Sequence, residues 1–159
     1  MFRKILIPTD FSDCSRRALD VGLRLADTFD AQVICLHAAG DVSQSDFSAE
    51  LMDHVGESLA TAEARVTRAA SERLTRFMAE GESKGLAAKD IEVRVATGAP
   101  DARILEVADE IGADLIVIGT HGRTGLRDQI LGSTAERVSR RANCSVMTVK
   151  PEGYPFLRT

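Results

Sequence analysis

The feature that most restricts how this chain can fold is a pair of short apolar runs with no polar alternation. Gln32–Leu36 reads QVICL, and Asp114–Ile118 reads DLIVI. A strand with one face in water alternates apolar and polar residues, so an unbroken apolar run marks a strand covered on both faces. Ile5–Ile7, closed by Pro8, Thr9 and Asp10, predicts a first strand over about residues 3–9. Ile91–Ala96 (IEVRVA) alternates and predicts a half-exposed strand near a sheet edge, and Ser145–Val149 (SVMTV) predicts the last strand.

Helical periodicity fills the gaps between these runs. Ser12 is a candidate N-cap for a helix in which Ala18, Leu19, Gly22, Leu23, Leu25 and Ala26 recur on one face up to about Thr28. Asp41–Ser48 reads as a surface loop. A long helical pattern then runs from Ala49 to about Ser83, with Gly56 as a possible break, and Glu72 and Arg76 form a favourable pair four residues apart. Gly81 and Gly85 stand where this pattern should stop. Pro100 suits the first turn of a helix carrying Ile104, Leu105, Ala108 and Ile111 inward, and a last helix covers about residues 133–142. Strands alternating with helices predict an α/β fold, a single three-layer doubly wound domain whose parallel sheet has helices on both faces and right-handed crossovers. With 159 residues the chain fits one domain, placed at 1–150, followed by a short tail at 151–159.

Composition removes several functional classes. A net charge of −4, no Trp and a single Tyr argue against nucleic acid or an anionic membrane as partner. No apolar run approaches the roughly twenty residues that cross a bilayer. Pro8 and Asp10 cut the N-terminal apolar run too short for a signal peptide. Cys14, Cys35 and Cys144 are widely spaced and form no CxxC pair, which predicts free packing thiols in a reducing, cytoplasmic compartment and no metal cluster.

The candidate site lies in Ile116–Val138, IVIGTHGRTGLRDQILGSTAERV. An apolar strand delivers a loop holding Gly119, Gly122 and Gly125, then Gly132, Ser133 and a helical pattern. Glycines allow close backbone approach, and a helix start offers unpaired N–H groups with partial positive charge, which together suit phosphate. Ser133-Thr134-Ala135-Glu136 is an S-x-x-E capping box, so a helix should start at Ser133, and Gly132 before it lets phosphate come close to the N–H groups of Ser133 and Thr134. In an open doubly wound sheet, ligands bind beyond the carboxyl ends of the strands where the strand order reverses. With order 3-2-1-4-5, Asp10 and Gly119 would face one crevice. The P-loop, the dinucleotide glycine signature and the hydrolase nucleophile elbow are all missing.

The spacing that is present, Gly119, Gly122, then nine residues to Gly132 and Ser133, resembles the ATP-binding motif G-2x-G-9x-G-(S/T) of the universal stress protein family. ILIPTDFS at the start, CLHA at the end of the second strand and SVMTVK at the last extend the resemblance over almost the whole chain. It implies a five-stranded sheet of order 3-2-1-4-5, of the kind shared with the adenine nucleotide alpha hydrolases. It also implies a stress-response protein that binds ATP, or AMP or ADP, and forms a homodimer through the last strand, Ser145–Val149. Carried onto this sequence, it places Pro8, Thr9 and Asp10 beside the adenosine and Ala38 against the adenine. Gly119, His121, Gly122, Arg123 and Gly125 would wrap the ribose and phosphates, and Gly132, Ser133 and Thr134 would close the phosphate end. As an edge strand, the last strand would also carry unpaired backbone groups that invite a partner.

No general base, nucleophile or arginine finger stands out, which favours a nucleotide-responsive binding protein over a fast enzyme. Asp10 is suited to orienting a ribose hydroxyl, to holding Mg²⁺ or to capping the following helix. His121 reads as a turn residue rather than a base, and Arg123 as a phosphate contact or a solvated side chain. Two alternatives stay open: a slow ATPase or self-phosphorylating enzyme using Asp10 with Mg²⁺, and a nucleotide-free interaction module.

Overall fold

A computed structural model describes residues 1–39, 59–82, 91–121 and 131–151. In chain order the elements are β1 (Lys4–Pro8), α1 (Asp13–Phe29), β2 (Gln32–Ala39), α2 (Leu59–Glu82), β3 (Ile91–Thr97), α3 (Pro100–Ile111), β4 (Leu115–Gly119), α4 (Ser133–Arg141) and β5 (Ser145–Val149). The strands form one five-stranded sheet of order β3-β2-β1-β4-β5, and every pairing is parallel. The reversal of order falls between β1 and β4, and both IEVRVAT and SVMTV lie at edges.

Successive residues of β1 go to opposite faces of the sheet, as the two-residue period of a strand requires. Ile5 and Ile7 join Leu19, Leu23, Val33, Cys35, Leu74, Phe77 and Val117 under α1 and α2. Leu6 joins Ile34, Leu36, Ile104, Val107, Ile116, Ile118 and Val138 under α3 and α4. The middle strands are therefore buried on both sides, which is why their sequence reads apolar without alternation. Burial also pushes the Cys35 thiol up to about 12, so it packs as a small hydrophobe. Cys14, Cys35 and Cys144 are all free thiols.

The structure departs from the sequence expectations in specific places. The expected end of β2 at Leu36 moves three residues on, because His37, Ala38 and Ala39 pair with Val95, Ala96 and Thr97 of β3. Asp114 is not a strand residue; its carboxylate accepts from the Arg3 N–H at 2.7 Å and the Lys4 N–H at 2.9 Å, pinning the entry of β1. Glu72 does not pair with Arg76. It accepts from Arg68 Nε at 3.2 Å instead, and Arg76 lines a cavity beneath α1. The expected loop at 41–48, the first turns of the long helix, Gly56 and Gly85, and the tail beyond Pro151 lie outside the described residues.

Asp114 carries a pH prediction. The backbone donors of Arg3 and Lys4 hold its carboxyl below the ordinary carboxylate value. Because the folded-state pKa is the lower one, its stabilisation is present above the unfolded value and disappears as pH falls through the folded value. Asp114→Ala is expected to lower the urea midpoint at neutral pH, with the gap to the parent protein narrowing as pH falls below the ordinary carboxylate value of about 4. Parallel urea titrations at neutral and acidic pH measure it.

Candidate functional site

At the carboxyl ends of β1 and β4 the sheet opens into a cavity of about 280 Å³. Pro8, Thr9, Asp10, Ala38, Gly119, His121, Gly132, Ser133 and Thr134 all line it, so these sequence-derived candidates meet at one place. Gly122, Arg123 and Gly125 lie outside the described residues.

The phosphate-suited end is built by α4. Its first intrahelical bond runs from the Glu136 N–H to the Gly132 carbonyl at 2.9 Å. Gly132 is therefore the N-cap, and its N–H is taken by the Thr120 carbonyl at 2.6 Å. The helix starts at Ser133 as expected, but the capping-box bond does not form: Gly132 holds the cap position and no side chain caps the helix. Helix geometry leaves the N–H groups of Ser133, Thr134 and Ala135 without intrahelical partners, and all three residues line the cavity. Three orphan donors, with the positive end of the helix dipole behind them, face the crevice.

The two described glycines of the motif serve the fold itself. A Cβ on Gly119 would lie 3.0 Å from both the carbonyl carbon and Sγ of Cys14. A Cβ on Gly132 would lie 3.0 Å from the Thr120 carbonyl oxygen. At both sites a side chain would be tight against the protein's own backbone, which would have to give by a few tenths of an ångström, so the glycine spacing reflects how closely α1 and α4 dock on β4. The donors come from the residues that follow Gly132.

The β1–α1 loop forms the opposite wall. Thr9 is 6% exposed and already committed: its Oγ1 accepts from the Phe11 N–H at 3.0 Å and lies 3.0 Å from Ser15 Oγ. Ser15 Oγ donates to the Ser12 carbonyl at 2.9 Å, so the Thr9 hydroxyl is the donor in that pair. Asp10 Oδ1 accepts from the Ser12 N–H at 3.1 Å and from Ser12 Oγ at 2.6 Å, while Ser12 Oγ caps the Ser15 N–H at 3.2 Å. Asp10 thus braces the N-cap of α1 while lining the cavity. His37 Nδ1 sits 2.8 Å from the Thr9 carbonyl and Thr120 Oγ1 lies 2.8 Å from His121 Nδ1, tying the rim together. Among the described residues no group of three or more His, Cys, Asp or Glu is placed to hold a metal ion.

Sequence reasoning missed the apolar end and the brace behind the site. Leu36, Pro100, Ile104 and Ile118 line a slot beside Ala38, and Thr120 and Ser15 line its floor. The extended apolar register of β2 into His37 and Ala38 was the only local signal for this slot. Asp101, 8% exposed, takes Arg137 at 3.6 Å and Arg141 at 3.7 Å, which joins the start of α3 to α4. That contact links distant segments and leaves no local signature.

Comparison with known proteins agrees with this architecture. The sequence profile of the universal stress protein family matches residues 1–150. A universal stress protein of Methanocaldococcus jannaschii is 35% identical over 94% of this chain and 83% of its own length. The universal stress protein UspA from Lactobacillus plantarum superposes with a TM-score of 0.71 at 26% identity, over 93% of this chain and 97% of that one. A universal stress protein crystallised in complex with cAMP superposes with a TM-score of 0.61 at 30% identity, over 95% of this chain and 99% of that one. The strand order, the crevice at its reversal and these matches agree: the chain belongs to the universal stress protein family.

Proposed function

We propose that this chain is an adenine-nucleotide-binding universal stress protein, with ATP, ADP or AMP as ligand, acting in the cytoplasm as a nucleotide-responsive homodimer. The observation that carries the reading is that one crevice is lined both by the orphan N–H groups of Ser133, Thr134 and Ala135 and by the apolar residues Pro8, Leu36, Ala38, Pro100, Ile104 and Ile118. A phosphorylated nucleoside combines the same two requirements, an anion and a flat apolar base. A similar protein crystallised in complex with cAMP supports an adenine nucleotide as the ligand class.

In this reading Ala38 borders the adenine, Asp10 and Thr9 border the ribose, and His121, Gly119 and Gly132 border the path to the phosphates. Gly122, Arg123 and Gly125 complete the phosphate side. Mg²⁺, where the nucleotide carries it, meets a single described carboxylate at Asp10. Binding without fast turnover follows from the chemistry: the described lining offers helix donors and an apolar slot, with Thr9 and Asp10 already engaged in bracing α1. Occupancy biases the conformation to the extent that nucleotide binds one conformation of the protein more tightly than another. The homodimer reading rests on β5, an edge strand whose Met147 is 37% exposed.

Ser133→Asp separates binding from folding. A carboxylate at the first position of a helix stabilises the helix yet repels phosphate from the donors beside it. The variant is expected to keep its thermal midpoint and to lose at least about tenfold in affinity for ATP and AMP, a cost of about 1.4 kcal/mol, by calorimetric titration. Unchanged affinity would contradict the proposal. For the assembly, sedimentation at micromolar concentration is expected to show a dimer that Met147→Lys converts to monomer; a monomeric parent protein would overturn the β5 interface.

A further inference from the structure

A second cavity, of about 390 Å³, lies on the α1–α2 side of the sheet and is lined by Phe11, Ser12, Asp13, Arg16, Arg73, Arg76 and Phe77. We propose that it is an anion site for a condensed phosphate of the pyrophosphate class, separate from the nucleotide crevice. Three guanidinium groups line it, from helices far apart in sequence, and among the described lining residues Asp13 is the one carboxylate. Arg73 and Arg76 stand three residues apart on one face of α2, and no carboxylate pairs with either among the described residues. Like charges so placed repel, and a bound anion relieves the repulsion.

The aromatic rings organise the cations. Arg16 lies over the Phe77 ring with its Cζ 3.4 Å from the centroid, and donates to the Phe77 carbonyl. Arg73 lies over the Phe11 ring at 4.2 Å. The two rings meet edge to face at 5.5 Å, and Phe11 also packs against His37 at 4.3 Å. Ring stacking takes conformational freedom out of the guanidiniums before a ligand arrives, and their planar forks match phosphate oxygens. The same stacking occupies a face of each ring, which favours a compact anion over a stacked base. The ligand class is therefore a compact polyanion and not a nucleoside. More than one phosphate is indicated by the three cations and by a volume well above the share of a single small anion.

The test titrates the full chain with inorganic pyrophosphate by calorimetry at fixed ionic strength, with sulfate as control. Saturable binding is expected, weakened at least tenfold in the double variant Arg73→Gln, Arg76→Gln and retained in Ser133→Asp. ATP added to Ser133→Asp separates the sources of the phosphate: ATP binding there that matches pyrophosphate would show that a nucleotide tail serves equally and overturn the non-nucleoside assignment. Pyrophosphate binding that survives the double variant, vanishes in Ser133→Asp or equals the sulfate response would overturn the site. If the double variant fails to fold, aromatic NMR spectra of the parent protein decide: pyrophosphate is expected to shift the Phe11 and Phe77 ring signals, and unmoved signals would refute the proposal.

Discussion

The contact between the Gly132 N–H and the Thr120 carbonyl, 2.6 Å long, sets the geometry on which the site depends. A backbone hydrogen bond of this kind contributes only about 1 kcal/mol of net stability. Its importance is positional. It holds the start of α4 so close to the end of β4 that a Cβ at Gly132 would crowd the Thr120 carbonyl, and it leaves the next three N–H groups at the crevice. Arg137 and Arg141 on Asp101 fix the same helix from the side, so its donors are in place before any ligand arrives. Arg140 and Arg141 in its last turn complement the dipole at the far end.

The opposite wall is organised by a different chain of contacts. Asp10 holds Ser12, Ser12 caps α1, and Thr9 ties the same turn to Ser15. Phe11, at φ 66°, is the pivot of that turn: Asp10 before it lines the crevice at the strand-order reversal, while Phe11 itself lines the arginine cavity. One short loop thus forms a wall of both cavities. A ligand in either one acts on a segment that the other also touches.

Much of this was legible in the sequence because the signals were local. Unbroken apolar runs at Gln32–Leu36 and Leu115–Ile118 declared strands covered on both faces, and the alternation of IEVRVA declared an edge. The glycine and serine spacing from Gly119 to Ser133 located the crevice, although for another reason than first expected: the two described glycines make room for Cys14 and Thr120. Ser133 has the residue type of a cap, yet Gly132 holds that position, because docking on Thr120 decides where the helix begins. Leu36 and Ile104 in the apolar slot, the Asp101 brace and the Arg16–Arg73–Arg76 cluster all join residues from separate elements. Only the folded topology brings them together.

The central claim is that the first-turn N–H groups of α4 hold the phosphate of a nucleotide. Titrating ¹⁵N-labelled protein with ATP and following the amide resonances tests it most directly. The account predicts that Ser133, Thr134 and Ala135 show the largest shifts, saturating together, while Gly132, already bonded to Thr120, moves less. Shifts that leave these three amides unmoved, or that centre on Arg73 and Arg76, would contradict it.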